Sequence, residues 1–236
     1  MNNIIQTIRE DFIALSDEKV KQSGLRFFKE EVMLYGIKSA EVQMISKAYF
    51  KQIKDLPKAT IFDFCEQFWQ SGYMEESFIA CNWSYQLHKK YVVEDIILFE
   101  RWVNTYINNW ASCDTFCNHT VGTYIEMFPD KIEVLKKWAT SSNRWMRRAA
   151  AVSLIVPAKK GMFLNDIFEI ADILLLDSDD MVQKGYGWML KVACQKHEQA
   201  IFEYVVAHKT NMPRTALRYA IEKMPKELKE LAMAKP

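Results

Sequence analysis

The chain has 236 residues, 50% of them hydrophobic and 13% aromatic, which is enough for a sizeable core. Its formal net charge of +1 excludes a strongly basic nucleic-acid binder, so any anion-binding surface must come from local segregation of charge. Only 7 Gly and 6 Pro are present, few for an all-β or α/β protein of this length, and this favours helix.

Apolar residues recur at helical spacing along almost the whole chain, and convincing strand alternation is absent. Short breaks divide this pattern into roughly a dozen helices of about 10 to 18 residues, the range expected of globular helices. In chain order the breaks fall at Tyr35–Ser39, Leu56–Pro57, Ser71–Gly72, Phe128–Asp130, Ser141–Asn143, Lys160–Gly161, Asp177–Asp179, Met212–Pro213 and Met224–Pro225.

The helices follow one another without a low-complexity stretch or a long linker, so we predict a single domain over residues 1–236. Many helices of similar length joined by tight turns are typical of stacked antiparallel pairs. We therefore predict an all-α fold, an α–α superhelix (solenoid) whose concave face binds an extended ligand.

Charged residues are segregated along the second half of the chain. Residues 131–160 carry eight lysines and arginines against Glu133 alone, and residues 161–180 carry six acids and no base. The C-terminal part is basic again and includes Arg214 and Arg218. This alternation indicates a basic groove with an acidic back, although solvated helix faces would give the same pattern.

Trp110 and Asp114 lie four residues apart, so on a helix they share one face. The neighbouring residues are polar, which indicates a partly open surface where an indole is unusual without something to stack on. The alternative is a core tryptophan followed by an aspartate that the helix dipole stabilises.

Three arginines, Arg144, Arg147 and Arg148, follow a predicted N-cap at Asn143. No carboxylate lies near them in sequence, and the positive end of a helix attracts anions, so they favour a phosphate site. A solvated face or ion pairs with distant carboxylates are the alternatives.

Farther along, Lys184, Trp188 and Lys191 lie at i, i+4 and i+7 on one helix face. The same stretch contains Gly185 and Gly187, and each mid-helix glycine costs about 1 kcal/mol relative to alanine. A glycine in the middle of a helix allows close helix packing or the close approach of a ligand backbone. Packing is the simpler explanation for either glycine.

Five scattered cysteines fit reduced thiols, and Cys113, Cys117 and His119 lack the partner pair of a zinc site. The first residues show no apolar signal sequence, and apolar runs such as Ile173–Leu176 are far too short for a membrane span. We expect a monomer in the cytoplasm, with no metal, no cofactor and no membrane contact.

Together these segments resemble the AlkD-type DNA alkylation-repair glycosylases, which are built of HEAT-like helical repeats. The likeness spans most of the chain in consistent order. It is carried by Tyr35–Lys38, Asn109–Asp114, Asn143–Ala149, Gln183–Trp188 and Met212–Arg218.

This resemblance implies that Trp110, Asp114 and Trp188 form a catalytic trio and that Arg148 contacts the DNA backbone. Members of the family excise N3- and N7-alkylated purines without drawing the base into a tight pocket. Family members often place a tyrosine near the end of the second helix, where this chain has Phe27 or Phe28. Part of the wider family has the fold without detectable excision, so the fold alone does not establish activity.

A purine alkylated at N3 or N7 is cationic and leaves as a neutral base, so its excision requires no general acid. Asp114 would then stabilise the positive charge that develops on the sugar and position water. Phosphates of double-stranded DNA would be bound by Arg144, Arg147, Arg148, Lys184, Lys191, Arg214 and Arg218. The protein would then associate with the nucleoid through DNA. The alternatives are a non-catalytic module that binds DNA shape or branched DNA, and a protein–protein scaffold.

Overall fold

The computed structural model describes residues 3–234, in which there is no strand beyond one isolated bridge between Met33 and Tyr73. The predicted all-α class is confirmed. The residues group into two compact units, Met1–Phe116 and Cys117–Pro236. Their boundary falls inside an uninterrupted helical stretch from residue 110 to residue 127, which explains why the sequence shows no linker. The interpretation of the chain as one domain stays a prediction.

The first unit is built around two helices joined by a tight turn, α4 and α5. Helix α5 also packs against α3 and α7, so it lies at the centre of the unit. Its core is aromatic, because the rings of Trp83, Phe99 and Trp102 are fully buried. The helices are α1 (Asn3–Leu15), α2 (Glu18–Leu25), α3 (Ser39–Ile53), α4 (Lys58–Gln70), α5 (Met74–Gln86), α6 (Asp95–Tyr106) and α7 (Trp110–Phe116), with a 3-10 turn at His88–Lys90.

The second unit begins with a π-helical turn and continues as short helices. They are α8 (Gly122–Met127), α9 (Ile132–Ala139), α10 (Arg144–Val152), α11 (Ile155–Lys159), α12 (Leu164–Leu174), α13 (Asp180–Ala193), α14 (Glu198–His208), α15 (Arg214–Ala220) and α16 (Lys226–Met233). The π-helical turn covers Cys117–Val121, and a 3-10 turn at Pro129–Lys131 precedes α9.

Helices of the second unit pack in two rows. Helix α10 packs on α13 and α13 packs on α15, while α9 packs on α12. Short turns link α9 to α10 and α12 to α13, so each of these pairs is antiparallel. This repeated pairing within the unit is the pattern of a helical-repeat solenoid, as predicted.

The predicted helix lengths are too long. The helices of the described residues run from 5 to 15 residues, as in α11 and α3. Apolar periodicity continues through the π-helical turn and through the short break at Ser153–Leu154, so the sequence does not show that the hydrogen-bond pattern changes there. The predicted N-cap at Asn143 is confirmed, because its side chain accepts a hydrogen bond from the N–H of Trp145.

Candidate active site

The start of α7 is fixed by a polar network. Asn109 precedes the helix, and its Oδ1 accepts a hydrogen bond of 2.9 Å from the N–H of Ser112, which is a helix N-cap interaction. The Nδ2 of Asn109 donates to Ser112 Oγ at 3.2 Å, and that hydroxyl lies 2.7 Å from Ser77 Oγ of α5. All three residues are buried, so the first turn of α7 is held firmly against α5.

Trp110 is the first residue of this helix and is half-buried. Its indole stacks on the ring of Phe28, with centroids 5.4 Å apart and planes 20° apart. Its Nε1–H donates to the carbonyl oxygen of Phe27 at 3.3 Å. The sequence predicts that this indole stacks on another group. Phe28, a residue of the chain itself, covers one of its faces.

Phe27 and Phe28 belong to the segment between α2 and α3, which buried carboxylates hold in place. Glu75 accepts hydrogen bonds from the backbone N–H groups of residues 35, 36 and 37, at 3.1, 2.9 and 3.3 Å. Glu76 accepts from Tyr35 Oη at 2.8 Å and pairs with Arg9 Nη2 at 2.9 Å. Burial and the hydrogen bond to Glu76 raise the pKa of Tyr35, so its hydroxyl stays protonated as a donor.

Asp114 lies one helical turn after Trp110 on the same face of α7 and is also half-buried. Neither residue belongs to the sealed core, in contrast to Cys113 and Phe116 of the same helix, which are completely buried. The predicted juxtaposition of an indole and a carboxylate is therefore present in the first unit. Trp188, the third member of the predicted trio, belongs to α13 of the second unit and is half-buried too.

Two of the three predicted phosphate-binding arginines are engaged in distant ion pairs. Arg147 Nε lies 2.5 Å from Asp177, and its Nη1 donates to the carbonyl oxygens of Ser141 and Ser142, at 3.0 Å each. Arg144 Nη1 lies 3.1 Å from Asp179. Of the alternatives considered for these arginines, ion pairs with distant carboxylates are therefore present for Arg144 and Arg147. Their partners lie about one helical repeat later in the chain, and contact with DNA stays a prediction.

Arg148 is buried, with 5% of its surface exposed, and its Nη1 donates to the carbonyl oxygen of Met181 at the start of α13. Its Cγ lies 3.3 Å from the place that a Cβ of Gly185 would occupy. Gly187 faces α15 instead, where a Cβ would meet Tyr219 Cβ at 2.7 Å. Both glycines are therefore explained by close helix packing. Arg148 holds α10 against α13, and its contact with phosphate stays a prediction.

Ion pairs also join the blocks of charge that are separate in the sequence. Lys136 lies 2.9 Å from Asp166 and 2.7 Å from Glu169, so the basic block and the acidic block meet between α9 and α12. Lys184 pairs with Asp180 at 3.1 Å, and Lys191 pairs with Glu222 at 2.9 Å. These ion pairs neutralise part of the charge of each block, and the division into a basic groove and an acidic back stays a prediction.

Two predicted DNA contacts differ from the rest. Arg214 and Arg218 of α15 are exposed, and neither forms an ion pair with any residue of the described range 3–234. The fifth residue is basic in each of the three helices that pack in one row. It is Arg148 in α10, Lys184 in α13 and Arg218 in α15. The exposed arginines of α15 are therefore the most accessible cations among the predicted site residues.

The sequence model of a family described as DNA alkylation repair enzymes matches residues 8–224. The chain belongs to this family. Family membership assigns the chain a role in DNA alkylation repair. It implies that the substrate is DNA. The resemblance drawn from the motifs around Trp110, Arg148 and Trp188 is thereby confirmed at the level of the family.

Solved structures share the fold of the family. The chain superimposes on a predicted DNA alkylation repair enzyme from Enterococcus faecalis with a TM-score of 0.80 and 18% identity, covering 89% of this chain and 97% of the other. The structure of smu.31 from Streptococcus mutans UA159 matches with a TM-score of 0.54 and 20% identity, covering 82% and 94%. At this identity the likeness concerns the fold. No curated protein matches the chain.

Residues 3–234 contain no helix with the length and apolar character that a membrane crossing requires. The same residues contain no cluster of three or more side chains suited to hold a metal ion. The sequence analysis missed the capping role of Asn109 and the contact of Ser77, which fix α7. It also left open whether Phe27 or Phe28 is the relevant aromatic residue. An Asn directly before a predicted helix is a recognisable capping signal, whereas Ser77 lies too far from α7 in the chain for its contact to be predicted.

Proposed function

We propose that this member of the family is a DNA glycosylase that hydrolyses the N-glycosidic bond of cationic N3- or N7-alkylated purines in double-stranded DNA. The observation that carries the proposal is the pair formed by Trp110 and Asp114. Both are half-buried on one face of α7, and the first turn of that helix is anchored by Asn109. A rigid support of this kind suits a group that must meet a developing charge without reorganising.

The chemistry requires little from the protein. When the bond between C1′ and the purine breaks, its electron pair goes to the purine, and the cationic base leaves as a neutral molecule. Positive charge then develops on the deoxyribose, and water adds its oxygen to C1′ and releases a proton. In this proposal the carboxylate of Asp114 stabilises the sugar cation and orients the water. Neither step needs a general acid.

The aromatic residues bind the lesion nucleotide in this proposal. The indole of Trp110 has one face on Phe28, and its other face is the one offered to the deoxyribose and the cationic base. Trp188 supplies a second indole from α13, and contacts of this type contribute about 0.5–2 kcal/mol each. The exposed Arg214 and Arg218 bind phosphates, so affinity falls as salt rises.

The direct test is to incubate the purified protein with methylated duplex DNA and to measure free 3-methyladenine and 7-methylguanine by chromatography. Release of either base, with the same rate in EDTA, is the expected result. Binding of the duplex without release of any base would contradict the proposal and would favour the module that recognises DNA shape or branched DNA. Absence of duplex binding at low salt would favour the protein–protein scaffold.

A further inference from the structure

Helix α2 has no hydrophobic anchor of its own. None of its eight residues, Glu18–Leu25, all of which the structure describes, is buried. Helices in proteins are stabilised mainly by the packing of an apolar face, so α2 cannot fix its own place. The turn after α2 carries Phe28, whose N–H donates to the carbonyl oxygen of Leu25 at 3.1 Å. The position of the Phe28 ring against Trp110 therefore depends on the contacts that hold α2.

The segment 33–37 supplies those contacts. The N–H of Asp17, the N-cap residue of α2, donates to the carbonyl oxygen of Gly36 at 3.1 Å. Gly36 has a φ of 89°, and a Cβ there would collide with the carbonyl oxygen of Asp17, so this close approach requires glycine. The buried Leu34 lies against the other end of α2, with its Cδ1 3.0 Å from the place that a Cβ of Gly24 would occupy. Both ends of α2 thus rest on one short stretch of chain.

Glu75 in turn holds that stretch. Its buried carboxylate accepts hydrogen bonds from three successive backbone N–H groups, those of residues 35, 36 and 37. It is the second residue of α5, where the positive end of the helix favours a carboxylate. In the same turn of α5, Ser77 Oγ lies 2.7 Å from Ser112 Oγ and so supports the start of α7. One helical turn of α5 therefore holds both partners of the ring stack, Phe28 and Trp110.

We propose that Glu75 is a positioning residue for the proposed reaction, and that it sets the orientation of the Trp110 indole through the segment 33–37, α2 and Phe28. Glu75 is buried, so it acts through these residues and not by contact with DNA. A misplacement of about 1 Å that arises far from the reacting atoms is enough to slow an enzyme. The inference rests on the proposed function, because it assigns the indole a part in the excision. The orientation itself can be measured on the free protein.

The orientation is read from the indole N–H resonances in a two-dimensional proton–nitrogen NMR spectrum, since Trp110 Nε1–H donates to the carbonyl oxygen of Phe27. Trp110→Phe identifies the resonance. Glu75→Gln keeps the size of the side chain, but its NH2 group cannot accept from the N–H of Tyr35 as the carboxylate does. We expect the Trp110 resonance to move in this variant. The resonance of the fully buried Trp83 of α5 should stay where it is.

Gly36→Ala is a second variant, and it leaves the carboxylate intact. The added Cβ would meet the carbonyl oxygen of Asp17 and push α2 away, so the same Trp110 resonance should move. In a single turnover with methylated duplex, both variants should release 7-methylguanine several-fold more slowly than the parent. They should be no slower than Trp110→Ala, because they displace the indole and do not remove it. Affinity for undamaged duplex should stay the same, since phosphate contacts set it.

A double-mutant cycle separates this role from a general loss of stability. If Glu75 acts through Phe28, a protein with both Glu75→Gln and Phe28→Leu should be no slower than Phe28→Leu alone, whereas independent effects would multiply. Asp95→Asn is the matched control, because Asp95 is a buried carboxylate of α6 that accepts from the N–H of Val92 at 2.9 Å. It should lower the melting temperature and leave the indole resonance and the rate unchanged.

An unmoved Trp110 resonance in both variants, or a rate loss that multiplies with that of Phe28→Leu, would overturn the positioning role. The proposed activity fails separately. If methylated DNA releases no base while the resonance moves in both variants, the activity is wrong and the orientation of the indole by Glu75 stands. If bases are released and Glu75→Gln changes neither the resonance nor the rate, the positioning role is wrong and the activity stands.

Discussion

Gly187→Ala should destabilise the protein although alanine is the better helix former. A Cβ at position 187 would lie 2.7 Å from Tyr219 Cβ and 2.8 Å from the carbonyl oxygen of Ala216, both in α15. Carbon atoms in favourable contact are about 3.5–4.0 Å apart, so the helices must separate or strain. Neither of these atoms is the end of a flexible side chain that can move aside.

The magnitude follows from two opposing effects. Replacing a mid-helix glycine by alanine gains about 1 kcal/mol of helix stability. Forcing an extra carbon into a packed contact costs typically about 1–3 kcal/mol, and the closeness of the α15 backbone favours the upper end of that range. The expected net effect is a loss of about 1–2 kcal/mol in the free energy of unfolding. For a chain of this size that lowers the melting temperature by about 2–8 °C.

Gly185→Ala is the matched control in the same helix. A Cβ there would lie 3.3 Å from Arg148 Cγ and 3.6 Å or more from the next atoms, so a small shift of a side chain accommodates it. The gain in helix stability should offset most of the cost of packing the extra carbon. The melting temperature should therefore stay within a few degrees of that of the parent protein. Thermal unfolding followed by circular dichroism measures both variants. A Gly187→Ala protein that melts higher than the parent would refute the close packing of α13 on α15.

Three further predictions concern the proposed site. Trp110→Ala and Trp188→Ala should each slow the release of 7-methylguanine several-fold, the scale of one cation–π contact, and leave the protein folded; unfolding would show that the indole is a core residue. Arg218→Ala should reduce the slope of log affinity against log salt by about 1, whereas Arg147→Ala, which breaks the ion pair with Asp177, should mainly lower the melting temperature. Asn109→Ala should cost about 1 kcal/mol or more in the free energy of unfolding by chemical denaturation, and no loss would contradict the capping role.

The sequence predicts well what depends on local spacing. The helical class, the cap at Asn143 and the shared face of Trp110 and Asp114 all follow from residues fewer than five positions apart, and the structure has each of them. Such predictions succeed because helix geometry is the same in every protein. The family likewise follows from five short segments in consistent order.

Contacts between residues that are distant in the chain cannot be predicted from the sequence. The stacking of Phe28 on Trp110 joins positions 82 residues apart, and the ion pair of Arg147 with Asp177 joins positions 30 residues apart. Nothing in the local sequence shows which carboxylate of the turn before α13 faces α10. Segregated blocks of charge therefore predict a basic surface, while the fold brings opposite charges together and reduces it.

The role of Asp114 is the centre of the account, and a single-turnover measurement with Asp114→Asn tests it most directly. The variant keeps the shape of the side chain and removes its charge, so duplex binding should persist while release of 7-methylguanine falls by about a hundredfold or more. Asp63→Asn, an exposed aspartate on α4 of the same unit, should leave the rate unchanged. An Asp114→Asn protein that releases 7-methylguanine as fast as the Asp63→Asn control would contradict the account.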